Sequence, residues 1–314
     1  MTTKRINPRM KIELHGPSSG GGGKSSSALD SASIARLSGL EVLLLDADRG
    51  NAALSDSLGP RYEIKFLPPR FNESYAVELI SSCLERGIDL LIIDLGANAM
   101  TDAEIEAMII SIFKEAIKQL CACRVCLSLQ PAKRGLLSDA LLFAERFAEL
   151  AEVYLNFRKG MDRTAYAELI DRVDGTITVP NYEVAVLDLL KDSRLLPSDW
   201  ISSPQPGFER AAAVYAKGLL ERSREPHFRN WLGSDETEQW LELKAADAPK
   251  RRYIGLNQRG EVTNERLDAD ERFLMAEARL KAQTAQSDDA SVLECAREYI
   301  TAHSARIRQI ASGL

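Results

Sequence analysis

Along the first two thirds of the chain, apolar residues gather in short leucine-rich or β-branched runs, set apart by longer stretches with helical spacing. Seven runs predict strands: KIELHG (11–16), EVLLLDAD (41–48), EIKFLP (63–68), DLLIIDLG (89–96), CRVCLSLQ (123–130), AEVYLNFR (151–158) and GTITVP (175–180). The stretches NESYAVELISSCLERG, TDAEIEAMIISIFKEAIKQL and LSDALLFAERFAELA place apolar residues three and four apart, which predicts amphipathic helices. Runs such as LLIID are apolar at successive positions and therefore on both faces, as a strand between two helical layers must be. The pattern predicts an α/β fold with a doubly wound, mostly parallel sheet and helices on both faces.

From about residue 225 the texture changes, with charged and aromatic residues mixed, a candidate hairpin RYIGLNQRGEVTN and a long polar helical tail. This divides the chain into a main domain, residues 1–224, and a partly helical C-terminal appendage, residues 225–314. In the tail Val292, Ala296, Tyr299, His303, Ile307 and Ile310 form one apolar stripe at helical spacing. Such a stripe suits a helix packed on its own domain, and also a partner-binding or membrane-surface helix.

Composition narrows the function classes. The chain has 314 residues, 45% of them hydrophobic, enough for a sizeable core. A net charge of -6 argues against a surface that coats nucleic acid or anionic lipid, so a DNA contact would be local. Candidates for it are Arg158, Lys159 and Arg163 in FRKGMDR, and Lys217, Arg222 and Arg224. No apolar run approaches the roughly 20 residues that span a bilayer, and MTTKRINPRM lacks the apolar middle of a secretory signal. The expectation is a cytoplasmic protein without a transmembrane segment. Five cysteines, an odd number, fit a reducing compartment. Cys121, Cys123 and Cys126 lie in a β-like run and read as buried strand thiols, with a metal-cluster carrier as the alternative. His15, His227 and His303 are scattered.

The chemistry concentrates in SSGGGGKSS, residues 18–26, between the first predicted strand and the helical stretch KSSSALDSASIARL, whose inner face is Ala28, Ile34, Ala35 and Leu37. A phosphate needs several backbone N–H groups turned inward, and glycine lets the chain turn that tightly. Helix onset at Lys24 adds the positive end of the dipole, the lysine reaches the β and γ phosphates, and the Ser25 hydroxyl suits Mg²⁺. A flexible glycine and serine linker is the plain alternative. A dinucleotide site is disfavoured, because the lysine stands where such folds want a glycine.

These residues resemble the deviant P-loop of the ParA/MinD family of ATPases, K-G-G-x-G-K-[ST], at Gly20, Gly21, Gly22, Gly23, Lys24 and Ser25, with Ser19 where the family has its first lysine. Other segments fit in the same order. LLLDADRGNAAL resembles the family's D-x-D strand and switch loop, which implies Asp48 as water-positioning residue, Asp46 as its metal-side neighbour and Asn51 in the loop. DLLIIDLGAN resembles a Walker B strand, which implies that Asp94 holds Mg²⁺ through water, with DLG in place of D-x-P-P; a helix N-cap is the alternative for Asp94. Asn156 matches the family's adenine-contacting asparagine, and Pro180 in ITVPN the proline that packs on the base.

The resemblance covers roughly residues 10–220. It implies nucleotide binding by Ser19, Gly20, Gly21, Gly22, Gly23, Lys24, Ser25, Ser26, Asn156 and Pro180, with ATP and Mg²⁺ as cofactors, catalysis by Asp48 and Lys24, and metal binding by Ser25, Asp46 and Asp94. It further implies a weakly hydrolysing, ATP-dependent switch in plasmid or chromosome partition or conjugative plasmid maintenance. A nucleotide-dependent homodimer, an adaptor or centromere-binding protein and non-specific DNA are the implied partners. In the family the first lysine reaches the dimer partner's phosphates, which Ser19 cannot do; Arg49 is the candidate replacement. The rival reading is a non-hydrolysing nucleotide-binding scaffold that acts through its C-terminal region.

Overall fold

The computed structural model of the chain describes residues 8–16, 23–48, 53–70, 72–96, 102–129, 136–232 and 234–246. Arg49, Asn51, the hairpin segment and the apolar stripe of the tail lie outside the described residues.

All seven predicted runs are strands: β1 (Lys11–Gly16), β2 (Val42–Asp46), β3 (Ile64–Phe66), β4 (Leu90–Asp94), β5 (Ala122–Ser128), β6 (Glu152–Arg158) and β7 (Gly175–Val179). They form one sheet in the order β3-β2-β4-β1-β5-β6-β7, and every pairing is parallel. The helices are α1 (Lys24–Leu37), α2 (Ala53–Ser57), α3 (Glu73–Glu85), α4 (Ala103–Lys118), α5 (Leu136–Phe147), α6 (Ala167–Ile170), α7 (Val184–Ser193), α8 (Pro197–Ser202), α9 (Glu209–Ser223), α10 (Pro226–Leu232) and α11 (Asp235–Ala245). Local chemistry sets their starts: Asn72 accepts from the Ser74 N–H ahead of α3, and Asp102 accepts from the Glu104 and Ile105 N–H groups ahead of α4.

The sheet separates two cores because successive side chains point to opposite faces. Ile12, Leu14, Leu43, Leu45, Leu91, Ile93, Val125 and Leu127 pack with α3, α4 and α5 through Ile80, Ile109, Phe113 and Phe147. Leu44, Leu90, Ile92 and Cys126 pack on the other face with Ala28, Ile34, Trp200, Tyr215 and Leu219. The cysteine run follows this alternation as buried thiols, and burial pushes Cys123 up to about 12 and Cys126 up to about 11.

Beyond residue 225 the described chain stays on the α1 face. Phe228 and Leu241 are fully buried in that core. The Ser38 hydroxyl, at the end of α1, donates to the Leu232 carbonyl at 2.8 Å and lies 2.8 Å from the Thr237 hydroxyl, so α1 is tied to the start of α11. Among the described residues no helix is long and apolar enough to cross a membrane.

Candidate functional site

The strand order places the segment after β1 at a reversal. From β1 the chain moves toward β2 and β3, whereas from β5 it moves the other way to β6 and β7. In such sheets a crevice opens at the carboxyl ends of the strands where the order reverses. Residues 17–22, with Ser19, Gly20, Gly21 and Gly22, lie outside the described residues. At Gly23 the backbone adopts φ 78°, ψ 21°, a left-handed conformation that favours glycine, and there α1 begins. The first helical bond runs from the Ser27 N–H to the Gly23 carbonyl at 2.9 Å, so Lys24, Ser25 and Ser26 supply first-turn N–H groups without intrahelical partners. Gly23 has no side chain with which to cap α1, and the first turn of the helix carries no acid. The helix dipole and the lysine that opens α1 give this end of the helix a positive character.

Carboxylates face it from the neighbouring strands. Asp94 and Asp46 end β4 and β2 as register partners, and His15 of β1 is the other register partner of Asp94. Asp94 is 1% exposed. Burial pushes its carboxyl up to about 7; a hydrogen bond from Ser25 and the nearby Lys24 pull it down, and Asp46 and Asp48 push it up. Its Oδ1 has no hydrogen-bond partner among the described residues. A hydroxyl and a buried carboxylate oxygen with spare capacity are hard donors that fit Mg²⁺, which keeps several waters and takes few protein ligands. No group of three or more His, Cys, Asp or Glu side chains with metal-holding geometry occurs among the described residues. Asp46 is already engaged: its Oδ1 accepts from the Asp48 N–H and its Oδ2 from the Ser55 N–H, each at 3.0 Å. It thus shapes the turn that presents Asp48 and the start of α2. Asp48 lies against Gly96, where an added Cβ would fall 2.6 Å from its Oδ1. The Ala47 N–H donates to the Asp94 carbonyl at 2.9 Å and keeps β2 and β4 in step there. Lys24, Ser25, Asp46, Asp48 and Asp94 therefore meet at one end of the sheet.

The two residues matched to a base pocket are placed differently from one another. Asn156 is 1% exposed inside β6, and its Nδ2 donates to the Ser27 hydroxyl at 3.0 Å, beneath α1. Pro180, half-buried, follows directly on β7. Two residues beyond Asn156, at the end of β6, the Arg158 guanidinium reaches Gly23: its Nη2 is 3.5 Å from where a Cβ there would sit.

Sequence reasoning missed a buried polar network under α1. Glu13 and His15 point to the α1 face of β1, with His15 Nε2 2.7 Å from Glu13 Oε1. The Ser31 hydroxyl donates to the same oxygen at 2.6 Å, and Arg124 Nη2, from the register partner of Glu13, lies 3.3 Å from its other oxygen. Although burial pushes the Glu13 carboxyl up, Arg124 and His15 hold it well below the usual carboxylate range. Arg222 of α9 is fully buried, 3.2 Å from Asp30 Oδ2, and donates to Ser27 at 2.7 Å. The Tyr215 and Tyr182 hydroxyls donate to Asp30. Two buried arginines thus face two buried carboxylates and the charges balance. The available signal was the placement of Glu13, His15 and Arg124 inside strands that must be buried on both faces.

The structure corrects the expectation for Arg222, which cannot belong to a DNA-binding surface because it is spent on Asp30 in the core. Lys159 pairs with Glu221 at 2.8 Å, Arg163 donates to Thr178 at 2.9 Å, and Arg224 is engaged by Glu242 and Glu238.

No protein-family model and no curated protein sequence matches the chain. Among solved structures, a ParA family ATPase from Chlorobium tepidum TLS is 16% identical with a TM-score of 0.43, over 63% of this chain and 93% of that one. The MinC:MinD cell division protein complex of Aquifex aeolicus is 14% identical with a TM-score of 0.44, over 78% and 100%. A putative plasmid partition protein from Borrelia burgdorferi B31 bound to AMPPNP is 15% identical with a TM-score of 0.37, over 54% and 86%.

Proposed function

We propose that this chain is an ATP-dependent molecular switch with weak ATPase activity, of the ParA/MinD type. The observation that carries the reading is the juxtaposition of the Gly23–Lys24–Ser25 helix start, which carries a cation, with Asp94, which accepts from Ser25 and whose Oδ1 has no hydrogen-bond partner among the described residues. The first-turn N–H groups of α1 and the Lys24 amine bind the phosphates. Ser25 and Asp94 hold Mg²⁺, which neutralises phosphate charge when bound. Asp48, beyond the turn that Asp46 shapes, orients the attacking water and accepts its proton. Residues 49–52 follow directly on Asp48 in the chain, so the occupant of the site biases that segment and through it a dimer or partner contact.

The setting that fits is partition of plasmids or chromosomes, or maintenance of conjugative plasmids, in the cytoplasm. A nucleotide-dependent homodimer and an adaptor or centromere-binding protein are its partners. Calorimetric titration with Mg·ADP and Mg·AMPPNP, phosphate release from ATP, and sedimentation in each bound state test this. Binding that Lys24→Ala removes, slow release that the same substitution abolishes, and a mass that doubles with AMPPNP are expected. Absence of affinity for any nucleoside triphosphate overturns the reading; binding without turnover reduces it to a scaffold.

A further inference from the structure

We infer that Arg158 is a second phosphate-contacting cation of this site, acting beside Lys24 at the start of α1. The inference rests on the nucleotide reading above and deepens it by one residue. The end of β6 brings the guanidinium to the N-cap of α1: Nη2 lies 3.5 Å and Nε 4.0 Å from the point a Gly23 side chain would occupy. A Cβ at Gly23 would meet the guanidinium at ordinary van der Waals distance, so the guanidinium rests directly against the residue that opens α1. The other cations of FRKGMDR are turned elsewhere, Lys159 to Glu221 and Arg163 to Thr176 and Thr178.

Charge accounting supplies the physical need. Asp46, Asp48 and Asp94 gather at the same end of the sheet as Lys24. A nucleoside triphosphate brings about four negative charges at neutral pH, of which a divalent cation offsets two. One lysine leaves that excess facing the carboxylates of Asp46, Asp48 and Asp94, and a second cation relieves it. A guanidinium suits the role, since its planar fork can bond two phosphate oxygens at once and stays charged at any working pH. That the place is built for a charged ligand is indicated independently by Asp94 Oδ1, 1% exposed and without a partner among the described residues.

The test measures Kd for Mg·ADP and Mg·AMPPNP in wild type, Arg158→Gln, Arg158→Lys and Lys24→Ala, at low and high salt. Arg158→Gln is expected to weaken both nucleotides by about tenfold to a hundredfold, the range of a charge-assisted contact. It also flattens the salt dependence of Kd, which loss of packing alone would not do. Arg158→Lys keeps the charge without the fork and recovers part of the loss. Melting of the nucleotide-free variants near the wild-type temperature shows that they fold. If wild type binds and Arg158→Gln binds equally well with the same salt dependence, the contact is overturned while the nucleotide reading stands. If Arg158→Gln loses affinity for duplex DNA and none for nucleotide, Arg158 belongs to a DNA surface and the inference fails. A wild-type chain that binds neither nucleotide overturns both.

Discussion

The Arg222 guanidinium, carried by α9, donates to the Ser27 hydroxyl of α1 at 2.7 Å with neither side chain reaching solvent. Asn156 of β6 donates to the same hydroxyl. The helix whose first turn faces the proposed phosphate site is therefore held one turn further along by side chains 129 and 195 positions away in the sequence. Removing Arg222 leaves Asp30 buried without its counter-charge, which costs about 3–5 kcal/mol. Arg222→Ala should lower the denaturant midpoint accordingly with an unchanged slope. Arg222→Lys should recover only part, because an ammonium cannot reach Asp30 and Ser27 with one rigid fork. A wild-type midpoint in Arg222→Ala would refute a structural role for the pair.

Gly96 and Asp48 occupy adjoining space. A methyl at Gly96 would fall 2.6 Å from Asp48 Oδ1 and 3.2 Å from its Cα, so Asp48 and the turn that carries it must move. Gly96→Ala is expected to slow phosphate release by at least about tenfold, since a positioned proton acceptor supplies a hundredfold or more. ADP affinity should change little, because the substitution leaves the α1 start untouched. Unaltered release would mean that Asp48 does not orient the water.

Asp94→Asn keeps the shape of the side chain and removes the charge that a divalent ion seeks. Wild type should melt at a higher temperature with ADP and Mg²⁺ than with ADP and a chelator, by the ordinary linkage of binding to stability. In Asp94→Asn the gap between those two melting temperatures should close, and an equal gap would exclude Asp94 as a metal-holding group.

Burial lowers the pKa of His15, with Glu13 opposing the shift. Its imidazole is therefore neutral in the folded chain under conditions where the unfolded chain already binds a proton. For a lowered histidine the stability contribution is complete above the unfolded value, near 6.5, and is lost as pH falls below it. Between pH 6.5 and 5 His15 contributes a decline toward acid of at most about 1.4 kcal/mol per pH unit, the value for one proton, which Asp94, its carboxyl pushed up to about 7, opposes over the same interval. Arg124 and Arg222 add to the lowering, Glu13 is the acid facing the imidazole, and Asp94 is its register partner on the next strand. His15→Gln should remove that contribution, so that stability falls less, or rises more, toward acid than in wild type. Identical slopes in both proteins would assign the decline to other groups.

Much of the fold was legible along the chain. Strands and helices announce themselves through the spacing of apolar residues, a property each short stretch carries within itself, and LLIID, read as a strand covered on both sides, is buried at all five positions. Helix onset at Lys24 was legible for the same reason, since a glycine free to turn followed by a stretch with helical spacing marks a helix start. Which buried polar groups meet was not legible. Glu13 finds Arg124 because β1 and β5 lie side by side in that register, and Arg222 finds Ser27 across 195 positions. Asn156, placed by chain order near a base, reaches Ser27 beneath α1. Periodicity reflects local backbone geometry, whereas the partner of a buried charge depends on how whole strands and helices stack, and that arises only when the two cores close around the sheet together.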